Sequence, residues 1–488
     1  MLSSLKSTAF KNMQWTGFSS TYVSVLQLLN TVILAVFLDP GQIGTMSALL
    51  LIIWFTQYIS DGGMSPAIVH HDHNRPEILN FLFYVNILLA VLLYLGVLLV
   101  AEPLATVFKE PDMLIYIPIS TISMLFASLG NQFKVILMKE LRFDLIARQE
   151  MSGMTVNAIV SITLAWMGYG VWSMVIGHLI GTLIGNIILI ANTWKFWHPG
   201  IRISTQGLKP YVEFGMYQLG ERISLFLNTR LDQMIIGTVL GTYALGIYTV
   251  AHNLVISPTV RVNQIISLVM FSVFAKIQHD DNVVRRGYLK LVKLVTLINT
   301  PVMLGIAITA PLFIPLLFDE KWVDSIYIIQ ILSIYSLIRS TGSPAGSLQM
   351  AKGRADLGFK WNLSLVFISA PVLYVGATIG GLNGVAYSLV GMHFVLFTPY
   401  WHLIVKPLIG PPTKDYMMSV FKSIIPGVLM SIIVFVIIYL LTPYSALLAL
   451  ILGILIGIGS FMVFIFKFEN ELVSEIKSLI LNRDSAPT

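Results

Sequence analysis

The sequence predicts an all-α integral membrane protein with fourteen transmembrane helices, arranged as two six-helix lobes in parallel repeat followed by two C-terminal helices. Three observations predict it: a composition too apolar for a soluble chain, a one-sided distribution of basic residues, and a weak internal repeat. Of 488 residues, 56% are hydrophobic and only 11% charged, against roughly 25% charged in soluble domains. No polar stretch is long enough to bury a core of its own, which disfavours soluble enzymes and DNA-binding modules. Cys is absent, excluding disulfides, thiolate metal sites and a Cys nucleophile. The start, Met1 to Trp15, lacks the short apolar core and cleavage site of a removable signal peptide, so the first hydrophobic segment is expected to stay.

A helix needs about 20 mostly apolar residues to cross the hydrocarbon layer. Cutting the chain where charges, Asn, Gly or Pro interrupt such runs gives 14–38, 41–60, 78–101, 113–134, 145–167, 170–192 and 210–239, then 243–272, 290–317, 323–349, 357–379, 383–404, 417–441 and 445–466. With the loops assigned alternately to two sides, 24 Lys and Arg fall on one side, and Lys109 and Lys321 on the other. Cytoplasmic loops retain the basic excess, so both termini are expected in the cytoplasm. The net charge of +6 thus reads as topology, and no nucleic-acid partner is expected.

The repeat appears as matches whose offset rises in order. Leu38–Gly44 matches Leu240–Gly246 at an offset of 202, Phe108-Lys109-Glu110 matches Phe318-Asp319-Glu320 at 210, and Arg142-Phe143-Asp144 matches Arg354-Ala355-Asp356 at 212. Gly170-Val171 with Gly177 matches Gly384-Val385 with Gly391 at 214. Six helices per copy is an even number, so the copies share one orientation, a recurrent plan of secondary transporters with the site between repeats. The expected division is 1–192 for the first lobe, 193–208 for a cytoplasmic linker, 209–406 for the second lobe, and 407–488 for the last two helices and tail.

Several motifs resemble a known family. They are Asp61-Gly62-Gly63-Met64-Ser65-Pro66-Ala67-Ile68-Val69, Leu141-Arg142-Phe143-Asp144, Gly168-Tyr169-Gly170-Val171-Trp172 and, most specific, Asn228-Thr229-Arg230-Leu231-Asp232-Gln233-Met234-Ile235-Ile236-Gly237. Leu245-Gly246-Ile247-Tyr248 and Ala251-His252-Asn253-Leu254 follow. Over essentially the whole chain the sequence is similar to Wzx-type polysaccharide flippases of the multidrug/oligosaccharidyl-lipid/polysaccharide superfamily, in the branch of the colanic acid and teichuronic acid exporters. It departs at Met270-Phe271-Ser272-Val273-Phe274, where the family shows a Phe-Pro pair. The resemblance implies a MATE-like fold in the bacterial cytoplasmic membrane. It also implies alternating access that moves undecaprenyl-pyrophosphate-linked oligosaccharide to the outer leaflet.

An ionisable side chain near mid-bilayer is costly and faces a cavity or a partner. At 100° per residue, Gln218, Glu221, Arg222, Asn228 and Asp232 of segment 210–239 share one polar arc. Arg261 shares a face with Asn253, Ser257 and Gln264, and Arg339 with Ser336, Ser343 and Ser347. Gln27 lies on a polar, uncharged stripe of the first segment with Ser20, Ser24 and Thr31. A guanidinium can give two hydrogen bonds to one anion, so Arg222, Arg261 and Arg339 are candidates to bind lipid pyrophosphate or acidic sugars. The competing role is to lock helices by pairing with Glu221, Asp232 or backbone carbonyls. Arg230 lies on the opposite face of its segment, where snorkelling to the interface competes with substrate contact.

His70, His71 and His73 read as a solvated loop rather than a metal site, and His178, His252 and His393 as packing histidines. Gly177, Gly181 and Gly185, like Gly453 and Gly457, permit close helix approach within a monomer. Pro258 and Pro344 are expected to bend their helices. The chain has no phosphate-binding G-x-x-x-x-G-K-[ST] loop, no H-E-x-x-H and no G-x-S-x-G. Neither catalysis nor a cofactor is therefore expected, and the drive falls to H+ or Na+ or to substrate gradients. Two rivals remain: a drug/cation antiporter, expected to carry a mid-membrane carboxylate in its first lobe, and a polysaccharide polymerase or glycosyltransferase, expected to carry a large catalytic outer loop.

Overall fold

Hydrocarbon offers no partner for a backbone N–H or C=O, so a chain crossing it many times must be helical. The computed structural model describes residues 2–63, 65, 68, 75–410 and 413–469, and every regular element among them is a helix. In chain order these are α1 (Leu2–Phe37), α2 (Pro40–Ser60), α3 (Pro76–Leu99), α4 (Ala101–Val107), α5 (Met113–Lys139), α6 (Phe143–Trp166) and α7 (Val171–Thr193). There follow α8 (Lys209–Ile235), α9 (Thr242–Ile277), α10 (Asp281–Leu317), α11 (Asp324–Gly342), α12 (Pro344–Ala351), α13 (Ala355–Tyr400), α14 (Lys406–Ile409), α15 (Thr413–Leu441) and α16 (Ala446–Phe468).

Ten helices among the described residues are long and apolar enough to cross a membrane. Segments 145–167, 210–239 and 243–272, in α6, α8 and α9, are not among the ten. Polar content accounts for two of these: α6 carries Asp144, Arg148, Gln149, Glu150 and Asn157, and α8 carries Glu213, Glu221, Arg222, Arg230 and Asp232. Segments 357–379 and 383–404 form one run, α13, broken by Gly381 at φ 57°. Pro344 opens α12, so the helix expected over 323–349 is divided there. Pro258 sits inside an unbroken α9, which also runs through Met270–Phe274 to Ile277.

Packing divides the chain into two compact units, Met1–Asn253 with Phe359–Val385, and Leu254–Gly358 with Ala386–Thr488. In the first, α6 lies along α7. A Cβ on Gly181 would be 2.7 Å from Gly153 O, and one on Gly177 2.8 Å from Ser161 Cβ, so the glycines of α7 do permit close approach. The first helix packs on α6 through Tyr22 Oη and Thr155 Oγ1 at 2.8 Å and Ser161 Oγ donating to Asn30 Oδ1 at 3.2 Å. The stretch after α7 is pinned to α3: Trp197 is buried against Phe83 and Phe133. Asn80 clamps it further, donating to Arg202 O at 2.9 Å and accepting from Gly200 N at 3.0 Å.

Local geometry also repeats along the chain. Leu141 (φ 54°) and Gly353 (φ 66°) both take left-handed backbone, which costs a side-chain-bearing residue about 1–2 kcal/mol. Each is followed by the same fork. Arg142 Nε and Nη2 donate to the Asp144 carboxylate at 2.9 and 3.0 Å, and Arg354 to Asp356 at 2.9 and 3.2 Å. Gly170 (φ 55°, ψ −130°) has its conformational counterpart in Gly381 (φ 57°, ψ −142°), three residues before the Gly384 that the sequence match pairs with it. The starts of α2 and α9 meet backbone to backbone: a Cβ on Gly44 would lie 1.7 Å from Thr242 O, and one on Gly246 1.8 Å from Pro40 O. These are the residues that the 202-residue offset equates, so the contact is reciprocal in the manner of a two-fold interface.

In the second unit, Asp280 caps α10 by accepting from Asn282 N at 3.0 Å and Val283 N at 3.1 Å. Arg285 Nε donates to Ile409 O at 2.8 Å, and Lys352 Nζ pairs with Asp281 at 2.6 Å. Gly453 and Gly457 of α16 stand close against α15: an added Cβ would lie 3.3 Å from Ile438 at Gly453 and 2.9 Å from Val434 at Gly457.

Candidate substrate-recognition site

The site begins where α2 stops. Asp61 caps the helix in right-handed backbone (φ −64°), and Gly62 (φ 56°) and Gly63 (φ 66°) then reverse the chain. Two successive positive φ values suit glycine, and at Gly63 there is a second reason. A Cβ there would lie 2.2 Å from Gly215 O and 2.9 Å from Leu219 N, so the turn rests directly on the α8 backbone. This contact brings Asp61 beside Arg222, the central residue of the 27-residue α8. At 1.5 Å rise per residue, Arg222 is roughly 20 Å from either end of its helix.

Arg222 Nη1 donates to Asp61 Oδ2. The other carboxylate oxygen accepts from Ser65 Oγ and from Asn131 Nδ2, and Asn131 also donates to Ser65 Oγ at 3.0 Å. Asp61 is buried, so its charge is balanced by one guanidinium and two neutral donors, as a carboxylate taken out of water requires. The helix-locking alternative named Glu221 and Asp232 as partners of Arg222; the structure gives it Asp61 instead.

The other expected site residues go elsewhere. Glu221 is exposed and accepts from Gln218 Nε2 at 3.2 Å. Asn228 Nδ2 donates to Asn362 Oδ1 at 3.1 Å. Asp232 accepts from Tyr248 Oη and, at 2.8 Å, from Gln233 N. Arg230 stacks over the Trp54 ring at 4.3 Å, a cation–π contact, and donates to Gln233 Oε1 at 3.2 Å. Gln27 is exposed on α1. In the second unit, Arg339 stands 5.9 Å over the Tyr335 ring, which meets His393 edge-on at 4.8 Å. Arg261 belongs to α9, with its side chain outside the described residues. His70, His71 and His73 lie outside the described residues too, and no group of three or more His, Asp and Glu suited to a metal occurs among the described ones.

Sequence reasoning assigned no role to Asp61, Ser65 or Asn131. The available signal was an acidic residue directly ahead of Gly62-Gly63 at the end of an apolar run, a place where a charge has little reason to stand without a partner.

A family model for polysaccharide biosynthesis proteins matches residues 33–327. The chain belongs to that family. This polysaccharide biosynthesis protein is 28% identical over 418 residues to the lipopolysaccharide biosynthesis protein WzxC of Escherichia coli (strain K12), covering 86% of this chain and 85% of WzxC. It is 27% identical over 418 residues to the teichuronic acid biosynthesis protein TuaB of Bacillus subtilis (strain 168), with 86% of each chain covered. The Wzx-type resemblance carried by the motifs is thereby borne out. Among solved structures, the lipid II flippase MurJ in an inward closed conformation superposes with a TM-score of 0.74 at 16% identity, over 93% of this chain and 99% of MurJ. The family member described here is a multi-pass membrane protein of the MurJ-like, all-helical fold.

Proposed function

We propose that the protein is a flippase. It carries an undecaprenyl-pyrophosphate-linked oligosaccharide from the inner to the outer leaflet of the bacterial cytoplasmic membrane by alternating access. The observation that carries the reading is the Arg222–Asp61 network at the centre of α8, on a fold shared with a protein titled lipid II flippase. Arg222 takes the pyrophosphate when Asp61 gives it up, because a doubly charged group outcompetes one carboxylate for the guanidinium fork. Arg261 and Arg339 are the second unit's candidate anion contacts. WzxC is named for lipopolysaccharide biosynthesis and TuaB for teichuronic acid biosynthesis, which supports a lipid-linked, acid-bearing glycan as cargo. The transporter works as a monomer among membrane lipids, coupled to H+ or Na+.

The reading retains fourteen spans in lobes 1–192 and 209–406, joined by 193–208 and followed by 407–488. The reciprocal Gly44–Gly246 contact and the paired Arg-x-Asp forks support two parallel copies. The asymmetry of 24 against 2 basic loop residues supports cytoplasmic placement of both termini. A reporter fused after Thr488 should therefore report the cytoplasm, and one inserted between Thr442 and Ser445 the outside. Two fusions on the same side would overturn the topology.

One observation favours a second reading. A cation antiporter needs a buried carboxylate in the first half of the chain, and Asp61 is one. Its pairing with Arg222 argues against it as a cation site. The two readings part in a strain lacking the protein: a flippase leaves lipid-linked glycan accumulating on the inner leaflet, whereas an antiporter leaves that pool unchanged and lowers resistance to cationic drugs. The expected result is accumulation, measured by mass spectrometry of extracted lipids.

A further inference from the structure

We infer that an open cleft lined by α2, α5, α6 and α7 is a sugar-binding subsite, recognising the hydroxyl groups of the glycan residues next to the pyrophosphate. The inference deepens the flippase reading and rests on it.

The cavity lies wholly within the first compact unit and has a volume of about 350 Å³, within the range of small-molecule sites, about 300–1,000 Å³. Five of its lining side chains are amides: Gln57, Asn131, Gln149, Asn157 and Asn186. Its two long walls are facing helical stripes. On α6, Gln149, Gly153 and Asn157 recur every four residues and so share one face; on α7, His178, Thr182 and Asn186 do the same, with Gly181 three residues after His178 on that face. Gly153 and Gly181 let the backbones approach at the middle of the stripes, and the long polar side chains on either side hold the cavity open. Gln149 Oε1 and His178 Nε2 are buried in this wall with no hydrogen-bond partner among the described residues. Buried polar atoms in native structures are almost always bonded, so this wall is built for a hydrogen-bonding guest.

Three features select a sugar over other guests. A carboxamide offers both donors and an acceptor, which matches a hydroxyl and wastes half its capacity on an ion. The charges present cancel, because Lys134 Nζ pairs with Glu150 Oε1 at 2.8 Å, leaving no net charge to hold an anion or a cation. The volume is also far larger than a dehydrated coupling ion requires. Position supplies an independent argument. Asn131 both lines the cavity and donates to Asp61, the partner of Arg222. In a lipid pyrophosphate glycan the first sugar is bonded directly to phosphate, so an anion contact and a sugar subsite must be neighbours, as they are here.

The test uses the full chain in lipid nanodiscs and two probes. These are undecaprenyl pyrophosphate, and the lipid-linked oligosaccharide extracted from a strain lacking the protein. Wild type should bind the glycosylated probe more tightly than the bare one. Gln149→Ala and Asn157→Ala should each reduce that preference about tenfold, the effect of roughly one lost hydrogen bond to a desolvated partner, while affinity for the bare probe stays as in wild type. If either Ala variant fails to fold, Gln149→Asn and Asn157→Ser are read in the same way. Variants that keep the full preference, or lose both probes equally, overturn the subsite and leave the flippase standing. A wild-type protein that binds both probes alike also overturns the subsite alone. A wild type that binds neither probe overturns the subsite, and a strain lacking the protein that accumulates no lipid-linked glycan, so that the second probe cannot be prepared, overturns the flippase reading itself.

Discussion

Gly44→Ala and Gly246→Ala should each cut export at least about tenfold, a change worth 1.4 kcal/mol, at near-normal membrane levels of protein. The added methyl at Gly44 would stand 1.7 Å from Thr242 O and 2.9 Å from Gly246 N; at Gly246 it would stand 1.8 Å from Pro40 O and 3.0 Å from Gly44 N. In both cases the obstacle is backbone, so no rotamer change relieves it, and the ends of α2 and α9 must separate by more than an ångström. Overpacking typically costs 1–3 kcal/mol even where side chains can yield. The separation also loosens a second layer of contacts, because Glu110 Oε2 accepts from Thr45 Oγ1 at 3.4 Å and Thr242 Oγ1 at 3.0 Å. Lys109 Nζ reaches Val239 O at 2.6 Å beside it. If the proposed alternating access closes and reopens this contact in each cycle, the variants lose one end state while their helices stay folded. Complementation of a deletion strain, normalised to membrane protein, measures the effect, and wild-type export from both variants would remove the contact from the mechanism. Gly41, where an added Cβ meets nothing within 4 Å, supplies the control: Gly41→Ala should export normally.

That contact also shows what sequence could and could not convey. The match of Leu38–Gly44 to Leu240–Gly246 was legible because a glycine required by backbone approach stands in both segments. That the two segments touch each other there was not legible, since an offset in sequence carries no distance. The helices themselves were readable wherever apolar runs are uninterrupted, as in α3, α15 and α16. Arg222 stood out because a guanidinium in the middle of a long segment needs a reason. Its partner did not, because Asp61 looks like an ordinary loop residue until the Gly62-Gly63 turn is seen folded onto Gly215. Local periodicity proposed Glu221 and Asp232, which share the helix face, but side chains on one face are held apart by the helix and were claimed by Gln218 and Tyr248 instead. Polar stripes on α6 and α7 were hidden for a related reason: one glycine between two amides reads as a packing motif, and its meaning as a cavity wall requires both helices.

The Arg222–Asp61 pair supports the sharpest separation of roles. Arg222→Ala leaves the buried Asp61 carboxylate with Ser65 and Asn131 alone, and removing one partner of a buried pair costs about 3–5 kcal/mol. Protein level and export should therefore both fall, with export down by about a hundredfold or more. That result by itself does not distinguish a substrate contact from a helix lock, so the double variant decides. Asp61→Asn with Arg222→Gln removes both charges and keeps side chains that can still hydrogen-bond to each other and to Asn131, so protein level should return. If Arg222 also binds the lipid pyrophosphate, export stays lost in the double variant, since no guanidinium is left to receive the anion. A pure lock predicts recovery of both. Arg222→Lys tests the same point from the other side: it restores the charge opposite Asp61 and hence the protein level, but a point charge cannot supply the planar two-donor fork, so export should recover only in part. Quantified membrane protein alongside the accumulated lipid-linked glycan reads every arm. A double variant that exports like wild type would confine Arg222 to holding the α2 turn against α8.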